Sequence, residues 1–85
     1  MKVVIHTMFE KLYEDEVREV VLPGEDGEFS VWDFHQYCLY GLRRGWIRVI
    51  PRNKGKDGKK EEFRVLIKRG VANVRPIEMD LMVER

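Results

Sequence analysis

The stretch Glu16-Val17-Arg18-Glu19-Val20-Val21-Leu22-Pro23-Gly24-Glu25-Asp26-Gly27-Glu28-Phe29 decides the fold. Its first seven residues are rich in β-branched side chains, and strict alternation places Val17, Glu19 and Val21 on one face and Arg18, Val20 and Leu22 on the other. Pro23-Gly24 ends the run: proline presets the first corner of a turn and glycine accepts a positive φ at the second, while Asp26-Gly27 supplies another hairpin-type corner. A new strand opens at Phe29 and Val31. The expectation is strand, tight loop, strand.

The same grammar extends in both directions. Val3 to Thr7 reads as an opening strand; Trp46 to Ile50 alternates and stops at Pro51. Arg52 to Lys60, RNKGKDGKK, has no apolar residue and two glycines, which predicts an exposed hairpin loop leading into Glu61 to Ile67. Lys68-Arg69-Gly70 turns into Val71 to Val74, and Arg75-Pro76 precedes a last strand from Ile77 to Val83. Only Phe34 to Leu42 offers room for a helical turn. The expected fold is all-β: seven or more short, mainly antiparallel strands in a small β-sandwich or flattened barrel, one domain over residues 1–85.

Composition agrees. Eleven Val and five Ile stand against one Ala and six Leu, which favours strands. One cysteine cannot staple the chain, and it suits a reducing compartment. The longest run without a formal charge is nine residues, Phe34 to Leu42, far short of the ~18 to 20 apolar residues that cross a bilayer as a helix. The first residues reach His6 and Glu10 before any signal-like apolar core develops. The net charge of +1 conceals nine acids and three bases in residues 1–42 against thirteen bases and six acids in residues 43–85. If the halves occupy different faces, the domain carries two unlike surfaces; if their strands interleave, the field averages out.

Val20-Val21-Leu22-Pro23-Gly24-Glu25-Asp26-Gly27-Glu28-Phe29 resembles the signature of the epsilon subunit of rotary F-type ATP synthases, VVLPGEDGEFG. Without a gap, Val31, His35, Leu39, Leu42, Gly45, Ile47, Arg48 and Val49 fall where that family has its own apolar residues, histidine, glycine and arginine. Glu61-Glu62-Phe63 and Gly70 to Pro76 resemble its EEF and GGFVEVRP segments. Departures gather at Ser30 to Cys38, SVWDFHQYC, where the family reads GVLPGHAPL: two prolines and two glycines give way to bulkier residues. The resemblance implies a β-sandwich that is a non-catalytic rotor subunit of the central stalk, joining a gamma-type shaft to a membrane ring of c-type subunits. It would sit at the cytoplasmic face of an energy-transducing membrane, without cofactor and without inserting into the bilayer. It also implies that Glu28 and His35 face the ring; where the chain departs from the pattern, Trp32 and Phe34 replace a compact proline and glycine corner, and a broader, more apolar contact is expected there. The family's helical hairpin follows its sandwich; with Arg85 the last residue of this sequence, ATP binding is not expected.

Other chemistry finds little support in the residues. His35 and Cys38 are too few for a zinc site, and a satisfied or partner-facing His35 beside a packed Cys38 is the simpler reading. Gly24 to Gly27 carries two acids that would repel phosphate, so it reads as a turn. Glu25, Asp26, Glu28 and Asp33 lack a calcium-loop register and read as solvated carboxylates. The basic segment 52–60 is the basis of an alternative, a stand-alone barrel binding nucleic acid or anionic lipid. Its lack of a stacking aromatic favours a solvated loop tip and no nucleic acid. Trp32, Phe34, Tyr37 and Tyr40 read first as core and second as interface.

Overall fold

The computed structural model describes residues 1–52 and 62–85. Eight strands run in the order β1 (Lys2–His6), β2 (Lys11–Gly24), β3 (Gly27–Trp32), β4 (Cys38–Leu42), β5 (Gly45–Pro51), β6 (Phe63–Ile67), β7 (Arg69–Val74) and β8 (Glu78–Glu84). Among the described residues there is no helix, and the segment that had room for a helical turn instead contributes β4. Leu39 and Tyr40 are pulled into the ladder because Cys38 to Leu42 pair antiparallel with Val74 to Gly70. The predicted loop tip lies for the most part outside the described residues.

The strands form one path, β1-β8-β7-β4-β2-β5-β6, with β3 paired to β2. That path folds back over one apolar core, making the sandwich. Inward positions alternate as the pleat requires: Val3 and Ile5 on β1, Ile47 and Val49 on β5, and Met79 and Leu81 on β8 are fully buried. Apolar burial at roughly 25 cal/mol per Å² is the main stabilising term. β1 and β8 pair in parallel, Val3 beside Met79, while every other pair among the described strands is antiparallel.

β2 departs from the simple alternation. It starts earlier than expected, because Lys11 to Glu16 pair with β1, and it contains a bulge: Val17 pairs with Pro51 and Glu19 with Ile50, leaving Arg18 as the extra residue. The bulge shifts the pleat, so Val17, Val20 and Leu22 all enter the core, where strict alternation put Val17 opposite the other two. The turn is displaced as well. Pro23 and Gly24 remain in the strand, paired with Glu28 and Gly27, and the positive φ falls on Gly27 at 131°. Gly24 serves close approach instead: a Cβ there would lie 2.6 Å from the Phe29 ring and 2.8 Å from the Gly27 carbonyl oxygen.

The acidic and basic halves interleave. β1 and β2 pair with β8 and β5, and β4 with β7, so each layer mixes charges from both halves.

Candidate partner-binding end of the sandwich

Three of the four predicted aromatics are exposed. Trp32, Phe34 and Tyr37 keep 54%, 79% and 61% of their surface in solvent, which overturns the core reading for them. Tyr40 alone packs against the core, its ring 4.5 Å from that of Phe29. The exposed trio lies at the end of β3 and in the connection to β4. Ile77, 65% exposed, joins them because the Phe34 amide donates to the Pro76 carbonyl at 2.5 Å. Clustered exposed apolar surface of this kind marks interaction sites.

Phe34 has φ +64°, the one non-glycine among the described residues in that region. Its position matches a glycine in the resembling family pattern. The chain places a large ring on a left-handed corner of the kind that suits glycine, at a cost of order 1–3 kcal/mol. Asp33 braces the corner. Its Oδ1 lies 2.6 Å from the Met1 ammonium and its Oδ2 accepts from Arg52, tying the loop to the ends of β1 and β5. The Met1 ammonium first, then Arg52, holds the Asp33 carboxyl below its ordinary range. Read in the sequence as a solvated acid, Asp33 is structural here.

His35 is half-buried and engaged on both nitrogens. Its Nδ1 is 2.7 Å from the Gln36 carbonyl, which only accepts, so Nδ1 carries the proton; Nε2 then accepts from the Tyr40 hydroxyl at 3.3 Å. Burial, and after it the adjacent Cys38, raises the Tyr40 phenol above its ordinary pKa, keeping it a donor. His35 therefore organises the loop from within. Among the described residues no group of three or more His, Cys, Asp or Glu is arranged to hold a metal ion.

Glu28 stands apart. It opens β3 opposite Pro23, whereas Trp32 closes the strand opposite Glu19, about 13 Å away by strand rise. Glu28 is exposed, and Phe29 beside it packs onto the core as expected. Together with Glu19 it adds to the raised pKa of Arg48, which is set first by the Glu62 carboxylate that Arg48 contacts at 3.0 Å. The structure thus gathers Trp32, Phe34 and His35 and leaves Glu28 at the other end of the strand. Sequence reasoning missed Ile77, taken for the start of a strand; the proline before it was the available signal.

Comparison with known proteins gives consistent matches. The family profile described as "ATP synthase, Delta/Epsilon chain, beta-sandwich domain" matches residues 1–85. ATP synthase epsilon chain 2 of Ralstonia nicotianae is 31% identical over 78 residues, covering 92% of this chain and 52% of the relative. The epsilon chain of a Nitratiruptor species is 35% identical over 74 residues, covering 86% and 52%, and that of Rickettsia bellii 31% over 74 residues, covering 87% and 65%. The chain therefore spans about half to two thirds of the length of these relatives. Among solved structures, a chain of the Euglena gracilis mitochondrial ATP synthase superposes with TM-score 0.81 at 20% identity over 98% of this chain and 49% of its own. A chain of the Tetrahymena thermophila central stalk and c-ring gives 0.76 at 16% over 99% and 63%. At such identities these two structures establish the fold.

Proposed function

This chain belongs to the family of ATP synthase delta/epsilon chain β-sandwich domains, and from that footing we propose that it is a non-catalytic rotor subunit coupling a gamma-type shaft to a membrane ring of c-type subunits. The observation that carries this reading is the match of the family profile from residue 1 to residue 85 on an all-strand sandwich. Such a part works by holding two partners in fixed register so that torque passes through its interfaces, and a close-packed β core resists the shear this imposes. Its place is the cytoplasmic face of an energy-transducing membrane, as a peripheral member of the complex.

The ring-facing surface is the aromatic end. Trp32 and Phe34 supply apolar area, His35 fixes the loop that presents them, and exposed Glu28 adds an electrostatic contact further along β3. Aromatic groups of this type dominate interface energetics, while rim charges set orientation more than affinity. The nucleic-acid alternative drew on segment 52–60, of which Arg52 is the one residue described, and its guanidinium is engaged by Asp33.

The test is co-purification of the chain with a gamma-type subunit, run beside oligonucleotide binding at two salt concentrations. Retention of the gamma-type subunit with at most weak, salt-sensitive oligonucleotide binding is the expected outcome. Tight, salt-steep oligonucleotide binding without gamma association overturns it.

A further inference from the structure

Met1 is enclosed where β1 begins, beside the aromatic end. It is 3% exposed and its side chain belongs to the core. That packing brings its α-ammonium into a cage of oxygens: Asp33 Oδ1 at 2.6 Å, the Val17 carbonyl at 3.2 Å and Glu16 Oε1 at 3.4 Å. An ammonium offers three donor protons and no acceptor, so these acceptors match it one for one.

The backbone around it ties separate segments together. The Val17 amide donates to the Met1 carbonyl at 2.8 Å, the Lys2 amide to the Ile77 carbonyl at 3.0 Å, and the Phe34 amide to the Pro76 carbonyl. Residues 1–2, 33–34 and 76–77 thus form one knot, and it carries the exposed side chains of Phe34 and Ile77.

Charge holds the knot. Asp33 Oδ1 is buried and no other donor among the described residues hydrogen-bonds it, so the ammonium answers its charge, while Oδ2 is taken by Arg52. A carboxylate oxygen buried without a counter-charge is costly. Turning the amine into an amide removes the positive charge, leaves one N–H, and sets a carbonyl oxygen among oxygens that only accept. A formyl group, an acetyl group and the carbonyl of a preceding residue all have this effect. We propose that the oxygens of Glu16, Val17 and Asp33 form a charge-selective site for the α-ammonium, and that acylation of the Met1 nitrogen releases the corner from Trp32 to Tyr37 while the sandwich stays folded. The release is a property of the chain alone and does not depend on the rotor reading.

Cys38 supplies a ligation junction, so the full 85-residue chain can be assembled from a synthetic 1–37 thioester and a recombinant 38–85 fragment, with ¹⁵N at Phe34. Met1 is left free, Nα-formylated or Nα,Nα-dimethylated. The last two differ little in bulk, but only the dimethylated amine keeps the charge. Formylation is expected to speed hydrogen exchange of the Phe34 amide about tenfold or more, with exchange in the β5–β6 ladder unchanged, and dimethylation to change the Phe34 rate less than about threefold. The Asp33 carboxyl, followed by ¹³C shifts, should titrate closer to its ordinary range in the formylated chain. In Asp33→Asn, free and formylated chains should exchange alike at Phe34. Equal exchange of the free and formylated wild-type chains, an equal effect of dimethylation, or an undiminished formyl effect in Asp33→Asn overturns the proposal. So does loss of the folded state on formylation, since the ammonium would then hold the whole sandwich and not one corner.

Discussion

Phe34 concentrates the case for the aromatic end, because a positive-φ corner and 79% exposure are both unfavourable for a phenylalanine that only fills space. Two substitutions separate its roles. Phe34→Ser keeps the strained corner and removes little buried area, so unfolding free energy should change by no more than about 0.5 kcal/mol while association with a ring of c-type subunits falls. Phe34→Gly removes the strain as well and should raise stability by about 1 kcal/mol in urea titration, with the same loss of association. A loss of several kcal/mol for Phe34→Ser with ring association intact would show that the ring is core after all. Glu28→Lys, at the far end of β3, should alter the salt dependence of association more than its strength.

At the scale of the element, β2 carries the strongest constraint. The bulge at Arg18 lets one strand bury Val17 beside β5 and still bury Val20 and Leu22 further on. Deleting Arg18 restores plain alternation and turns either Val17 or the Val20–Leu22 pair outward. With about 1.5–3 kcal/mol at stake for each side chain, the denaturant midpoint should drop sharply, by at least about 2 kcal/mol in unfolding free energy. An unchanged midpoint would mean that the register slips without cost. The bulge was not legible beforehand, since Glu16 to Leu22 alternates acceptably in either phase and nothing local names the extra residue.

Over the whole molecule, the strands of the two halves interleave and charges pair locally, within a half at Lys2–Glu14 and Arg48–Glu62 and across the halves at Arg52–Asp33. Asp33 beside the Met1 ammonium and Arg52, Glu14 beside Lys11 and Lys2, and Glu62 beside Arg48 all have carboxyls held below their ordinary values of 3.8 and 4.5. Each pKa is lower folded than unfolded, so the unfolded chain binds more protons in acid. The contribution is complete above the ordinary values and declines as pH falls through them toward the depressed ones. Urea midpoints should therefore fall between about pH 5 and about pH 2, less steeply in the variant Asp33→Asn, Glu14→Gln, Glu62→Gln. Exposure and salt screening keep the effect small, and a midpoint independent of pH over that window would remove these pairs from the account.

The alternation of β-branched residues, the turn residues and the low alanine content were enough for an all-β chain of short strands, because a pleat of period two writes itself into composition and order. The same residues carried the resemblance that pointed to Glu28, Trp32, Phe34 and His35. What alternation does not encode is who pairs with whom. That β1 lies parallel to β8, that Cys38 to Leu42 becomes a strand against β7, and that Arg18 is the bulge are settled only when the inward faces share one core. Exposure at the aromatic end and at Met8 and Phe9 is decided the same way. A side chain's hydrophobicity states what burial would gain, while the closure of the sandwich determines which side chains find room inside.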